Sequence, residues 1–190
     1  MMEAFLSSTL AVAIAEIGDK TQLLALFLVT KYGRPYVISF GVLLSTLLNH
    51  ALSAWVGAWL GDKIPAELIP WIISASFVAV AIWLLVPDKE DDDLSKFSQY
   101  GPLVATCVLF FLAEIGDKTQ IATVILAAQY QTQVAWVIAG TTFGMLIANV
   151  PVIFAGKWLM QRIPLKLAHR CAFVLFLLLA FATIAKAYLG

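Results

Sequence analysis

Charge is scarce in this chain. Of its 190 residues only 13% are Asp, Glu, Lys or Arg, against about a quarter in an average soluble domain. Twelve basic residues balance twelve acidic ones. A net charge of zero lacks the basic excess of a nucleic-acid binder and suggests no acidic partner. Cysteine is nearly absent. Cys107 and Cys171 both lie in apolar runs, where they read as free packing thiols, and two such residues make no disulfide framework. The opening Met1-Met2-Glu3-Ala4-Phe5 lacks the basic region of a signal peptide, and its apolar run does not stop at a small-residue cleavage site. It reads as the start of a retained helix. No segment is low in complexity.

What is present in excess is apolar surface. Hydrophobic residues make up 62% of the chain and the mean hydropathy is +0.91. That surface must face something other than water, and lipid is the obvious solvent. A membrane span needs about 20 mostly apolar residues. Six candidates satisfy this, near 4–30, 36–60, 68–86, 103–128, 134–159 and 168–188. Lys31-Tyr32-Gly33-Arg34-Pro35 and Gly61-Asp62-Lys63-Ile64-Pro65 close the first two. The longest hydrophilic segment, Asp88-Lys89-Glu90-Asp91-Asp92-Asp93, marks a hinge. The expected organisation is one all-α membrane domain: a three-helix repeat at 1–87, an acidic linker at 88–101 and a second three-helix repeat at 102–190.

The repeat rests on one octet. Ala15-Glu16-Ile17-Gly18-Asp19-Lys20-Thr21-Gln22 recurs letter for letter at Ala113-Glu114-Ile115-Gly116-Asp117-Lys118-Thr119-Gln120, a spacing of 98. Tyr32 matches Tyr130 at that spacing. Gly41 then matches Gly140, Gly57 matches Gly156, and Ile64-Pro65 matches Ile163-Pro164 at 99. Three spans per repeat is an odd number, so the second repeat would enter the membrane from the opposite side, as in secondary transporters. Lys31, Arg34, Lys89, Lys96, Lys157, Arg162, Lys166 and Arg170 fall on one side, and only Lys63 and Lys186 on the other. The positive-inside rule makes the first side cytoplasmic, with both termini outside.

Each octet lies near the middle of an expected span. A charged side chain there costs about 2.5–3.5 kcal/mol on insertion scales. Six such groups cost a substantial part of a domain's net stability, so function and not stability accounts for them. Helix locks would need one or two amides, not a duplicated cluster of charges. On a continuous helix, Glu16, Asp19 and Lys20 share an arc of about 100°, with Gln22 beside Asp19 and Gly18 opposite Glu16. Gly18 then either lets a helix pack closely behind the charged face or loosens the helix and frees carbonyls. The second octet repeats the pattern in Glu114, Asp117, Lys118, Gln120 and Gly116.

Inverted symmetry would bring Glu16, Asp19, Glu114 and Asp117 together, with the amide oxygens of Gln22 and Gln120 near and the hydroxyls of Thr21 and Thr119 more to the side. This is an all-oxygen set, suited to Ca²⁺, Mn²⁺ or Mg²⁺. Neither octet contains Cys or His, which argues against Zn²⁺ or copper. Crowded carboxylates also bind protons when a metal leaves, the physical basis of metal/proton exchange. Asn49 and His50, with Asn149 aligned to His50 at 99, are weaker candidates. Both asparagines serve equally well as interhelical glue, and for His50 helix packing competes with ligation. Pro151 is expected to kink the fifth span. Trp55, Trp59, Trp71 and Trp158 near span ends fit an aromatic belt.

Glu-x-Gly-Asp-Lys-Thr, at Glu16–Thr21 and Glu114–Thr119, resembles the signature of the Gdt-type manganese/calcium transporter family. The resemblance covers nearly the whole chain, with two three-helix repeats, one motif opening each, and an acidic central loop. It implies a secondary transporter that moves Mn²⁺, or Ca²⁺ in some members, in exchange for protons, with the four motif acids as cation ligands. The chain carries no transit-type extension, so the resemblance implies the bacterial branch, exporting manganese across the plasma membrane. It implies no permanently bound cofactor; the partners are the cation, protons and the bilayer. A Ca²⁺/H⁺ exchanger is the alternative. From other classes, an intramembrane enzyme is disfavoured because Gly18-Asp19 resembles an aspartyl protease's Gly-Asp, yet position 16 is Glu where that motif has glycine. A non-transporting scaffold would predict no cation flux.

Overall fold

A computed structural model of the chain describes residues 1–86, 100–156 and 165–189. Among these residues all regular structure is helical. The helices are α1 (Met2–Ala15), α2 (Lys20–Tyr32), α3 (Pro35–Lys63), α4 (Ile69–Leu84), α5 (Pro102–Glu114), α6 (Lys118–Gln129), α7 (Val134–Ala155) and α8 (Leu165–Leu189), with a 3₁₀ turn at Gln131–Gln133 leading into α7. Pro35 and Pro102 open α3 and α5 at the first helical position, where a missing N–H costs nothing. The acidic stretch from Asp88 to Asp93, with Lys89, Lys96, Lys157, Trp158 and Arg162, lies outside the described residues.

Three helical stretches are long and apolar enough to cross a bilayer by length and composition: Pro35–Lys63, Gln131–Ala155 and Leu167–Leu189. Met2–Ala15, Ile69–Leu84 and Pro102–Glu114 are shorter apolar helices. Polarity is inverted relative to a soluble protein. Glu16, Glu114, His50 and Asn149 are fully buried, while Phe181, Trp55 and Leu178 are 72%, 68% and 59% exposed. An apolar outside around a polar inside is the signature of a membrane protein. The exposure of Trp55, Trp59 and Trp71 fits the expected belt. Cys107 and Cys171 are both unbridged, but only Cys107 packs inward; Cys171 is exposed.

The first and fourth expected spans need correction. The spans at 4–30 and 103–128 are not continuous helices. Each is two half-helices, broken inside the octet, so the continuous-helix assignment of faces does not hold there. Gly18 (φ +86°) and Gly116 (φ +75°) take left-handed backbone that L side chains rarely adopt, and this turns the chain between the halves. Pro151, in contrast, lies within α7, which continues on both sides of it.

The half-helices are held by the long helices. Both α1 and α2 pack on α7, and both α5 and α6 pack on α3. The contacts recur at matched positions. A Cβ on Gly41 of α3 would stand 2.8 Å from the Thr106 Cβ, and one on Gly140 of α7 would stand 2.5 Å from the Phe5 carbonyl oxygen and 3.0 Å from the Ser8 Cβ. Thr106 is 98 residues from Ser8, and Gly140 is 99 from Gly41. Only hydrogen fits at either place. Contacts advance along both chains together: Gly140 on Phe5 and Ser8, then Gly144 on Thr9 and Ala13. So α1 and α7 run in the same direction, as do α5 and α3.

The remaining pair is α4 with α8. Phe77 and Phe176 meet edge to face at 5.9 Å, and the Ser74 hydroxyl donates to the Ala180 carbonyl at 3.0 Å. At one end of the molecule Lys186 donates to Glu3 at 2.9 Å and the Tyr130 hydroxyl donates to the same carboxylate at 3.2 Å. At another, Tyr32, the 98-residue counterpart of Tyr130, donates to the Tyr100 carbonyl at 3.1 Å.

Candidate cation site at the paired helix breaks

Each octet is a complete helix-break cassette. In the first, Glu16 caps the C-terminus of α1, its N–H bonded to the Val12 carbonyl at 2.9 Å. Gly18 turns the chain. Asp19 is the N-cap of α2, its carboxylate accepting from the Thr21 N–H at 3.4 Å. Gln22, three residues on, reaches back to accept from the Gly18 N–H at 2.9 Å. This is a variant of the capping box, in which an N-cap acid and a residue at N3 satisfy the orphan donors of the first turn. The second copy does the same: Asp117 accepts from the Thr119 N–H at 3.3 Å, and Gln120 accepts from the Gly116 N–H at 2.6 Å.

The breaks concentrate charge at helix ends. Asp19 and Asp117 sit at N-termini, where the helix dipole favours a negative charge. Glu16 and Glu114 sit at the C-terminal ends of α1 and α5, where the same dipole is already negative. Those ends therefore attract a cation beyond what the carboxylates do alone.

The acids come together across the two halves. One oxygen from each of Glu16, Asp19 and Asp117 lies within 4.8 Å of the others. That spacing is about twice a metal–oxygen distance of ~2.1–2.6 Å, so one hard cation can touch all three. Glu16 is fully buried, and Asp19 and Asp117 are 5% and 4% exposed. Glu114 was expected as an equal fourth member. It is fully buried and interacts electrostatically with Glu16, as do both aspartates, but it is not in the tight group. The Thr119 hydroxyl donates to its carboxylate at 2.9 Å and holds it toward its own octet.

A model of the family described as "Divalent cation/proton antiporter GDT1" matches this chain twice, over residues 4–92 and 102–190, so that each match contains one octet. The chain belongs to the GDT1 family. A Vibrio cholerae protein provisionally named a manganese exporter is 49% identical over 183 residues, covering 96% of this chain and 91% of its own length. GDT1-like protein sll0615 of Synechocystis is 30% identical over 202 residues, covering 95% and 96%. GDT1-like protein 2, chloroplastic, of rice is 28% identical over 214 residues, covering 94% of this chain and 60% of its own length. No solved structure matches the chain. Membership of an antiporter family makes the chain a membrane transporter of divalent cations and protons and not an enzyme, which removes the intramembrane-protease alternative.

The other residues of the GDT1 octets take more specific places than sequence gives them. The amide oxygens of Gln22 and Gln120, expected near the cation, are used instead to cap the breaks. Their amide nitrogens tie each break to a long helix: Gln22 donates to the Ala148 carbonyl at 2.9 Å, and Gln120 to the Asn49 side chain at 2.6 Å. The Thr119 hydroxyl does not point aside: besides Glu114 it lies 3.3 Å from Asp117. Thr21 is buried and its hydroxyl has no hydrogen-bond partner. Lys20 reaches across to the Asp117 carboxylate of the other octet at 3.6 Å. Lys118 is 3% exposed and donates to the Val86 carbonyl at 2.8 Å.

Asn49 also donates to the Phe111 carbonyl at 3.4 Å, and Asn149 donates to Glu16 at 3.3 Å and to the Met145 carbonyl at 3.2 Å. Both asparagines therefore stand at the breaks. His50 is fully buried beside Asn49, and neither ring nitrogen has a hydrogen-bond partner. Sequence reasoning missed the Ala148 and Phe111 carbonyls, because backbone acceptors have no sequence signature. The breaks themselves had one: Gly-Asp-x-x-Gln, with aspartate as N-cap and glutamine at N3.

Proposed function

We propose that the chain is a secondary transporter that exports Mn²⁺ across the plasma membrane in exchange for protons. Six membrane crossings arranged as two inverted three-helix repeats alternate access to one shared site. The cation ligands are Glu16, Asp19, Glu114 and Asp117. The single observation that carries this reading is the meeting of Glu16 and Asp19 of one octet with Asp117 of the other, within 4.8 Å, at two helix breaks.

Several further observations support it. Broken helices meeting at buried acids are how secondary transporters form ion sites inside a bilayer. The matched contacts at offsets of 98 and 99, and the parallel pairing of α1 with α7 and α3 with α5, are what inverted repeats require. Removal of the cation leaves several carboxylates crowded together, and protonation relieves their repulsion; this couples proton uptake to metal release. Lys20, at 3.6 Å from Asp117, lends the cluster a partial counter-charge. The bias of basic residues toward one set of loops supports a reading with both termini outside. Mn²⁺ is preferred as cargo because the Vibrio cholerae relative, 49% identical, is provisionally named for it.

The test is manganese accumulation in cells that lack an exporter. Wild-type protein restores efflux, and Asp19→Asn and Glu114→Gln do not. Efflux by either variant at the wild-type rate overturns the site. Proteoliposomes loaded with Mn²⁺ or Ca²⁺ decide the cargo: faster Ca²⁺ than Mn²⁺ exchange would replace manganese export with Ca²⁺/H⁺ exchange.

A further inference from the structure

The two halves of the site are alike in their octets but not in the long helices behind them. The amides of Gln22 and Gln120 end on residues 148 and 49, which are 99 apart. The next residue on each helix is Asn149 on α7 and His50 on α3, again 99 apart. Asn149 donates to Glu16, the first acid of the first octet. Carried over by the same offset, His50 comes to the half of the site that holds Glu114. Independent contacts agree on the level. Asn49, adjacent to His50, bonds the Phe111 carbonyl three residues before Glu114 and the Gln120 side chain six residues after it.

The histidine is poorly explained as packing. It is fully buried and both of its ring nitrogens lack hydrogen-bond partners. Leaving a polar group orphaned in that position is costly, and a leucine or methionine would fill the space without that cost. A buried imidazole with no partner, next in sequence to the Asn49 side chain that accepts from Gln120 of the second octet, is a ligand in waiting.

We propose that His50 is the selectivity residue of the cation site, giving the Glu114 half one nitrogen ligand where the Glu16 half has the Asn149 amide. This rests on the carboxylate site of the preceding section and adds what distinguishes its cargo. Imidazole nitrogen is accepted by first-row transition ions. Ca²⁺ takes oxygen ligands throughout. A site of carboxylates alone serves both ions; one nitrogen tilts it toward Mn²⁺.

Mn²⁺ is itself the probe. In purified protein in nanodiscs, the pulsed EPR spectrum of bound Mn²⁺ carries the ¹⁴N modulation of a directly coordinated imidazole. His50→Asn, which makes the two halves chemically equal, keeps Mn²⁺ bound but loses the modulation. Its preference for Mn²⁺ over Ca²⁺ falls about tenfold, the order expected for loss of one supporting group. Bound Mn²⁺ without ¹⁴N modulation in the wild type overturns the proposal whatever the variant does, as does an unchanged Mn²⁺/Ca²⁺ ratio in His50→Asn. Asp19→Asn separates the two readings. Full Mn²⁺ affinity with modulation intact in that variant keeps His50 as a ligand and removes the carboxylate site. A wild type that binds no Mn²⁺ removes both.

Discussion

At residue scale, Gly116 has φ +75° and nothing within 4 Å of the place where a Cβ would go. A methyl group there meets no neighbour, so Gly116→Ala isolates the backbone term. Left-handed backbone costs an L-residue about 1–2 kcal/mol, and thermal unfolding in detergent is expected to show a loss of that size. An unchanged Tm would mean that the turn does not depend on glycine. Gln120 makes a different contribution. It satisfies the Gly116 N–H and the Asn49 side-chain amide oxygen, each at 2.6 Å. Gln120→Leu removes both bonds and leaves the buried Asn49 oxygen only the Ser53 hydroxyl at 3.4 Å; at about 1–3 kcal/mol for such a buried group, the same assay should rank it as more destabilising than Gly116→Ala.

At the scale of the element, the break is made from ordinary helix-end chemistry. Asp117 has two roles that a single substitution can separate. As N-cap of α6 it needs only an acceptor, and asparagine caps as well as aspartate. As a proposed ligand it needs its charge. Asp117→Asn is therefore expected to keep Tm near wild type while Mn²⁺ efflux is lost; Asp117→Ala should lose both, with about 1 kcal/mol of stability removed through the cap. A stable, fully active Asp117→Ala would mean that neither role is real. These elements also show what the sequence makes legible. The long helices α3, α7 and α8 follow from apolar length, and the octets follow from their repetition. Placing them on continuous helices fails because apolar runs do not register a single left-handed residue. The cap signal, Asp followed by Gln three residues later, was present in both copies but lay within a run whose hydrophobicity reads as uninterrupted span.

At the scale of the whole molecule, the site belongs to neither half alone. Glu16 and Asp19 come from one octet and Asp117 from the other, and Lys20 crosses between them. Loss of the acids of one octet is therefore expected to abolish transport and not to halve it, measured as Mn²⁺ flux into proteoliposomes. Ligand binding should also stabilise the fold. At a Mn²⁺ concentration 100 times the Kd, one site adds about 2.7 kcal/mol, visible as a rise in Tm that Glu16→Gln abolishes. The outer ends of the half-helices are tied in matched fashion, Tyr130 to Glu3 and Tyr32 to the Tyr100 carbonyl. Reporters fused to the two termini should read on the same side of the membrane, since Glu3 and Lys186 meet at 2.9 Å; in the proposed orientation that side is external.

The sequence by itself determined that this is a membrane protein with a duplicated acidic motif, because composition and identity are local properties that need no coordinates. It also named the acids, since buried charge in an apolar run is too costly to be incidental. Tertiary structure alone decided that the motif is a helix break, that Gln22 and Gln120 tie the breaks to α7 and α3, and that Glu114 leans on Thr119. It also decided that His50 stands unpartnered beside Asn49. The two glutamine ties join residues 126 and 71 positions apart, and each break is a turn set by one dihedral angle. Hydrophobic periodicity records neither, because it reports which residues avoid water and not which polar atoms meet inside.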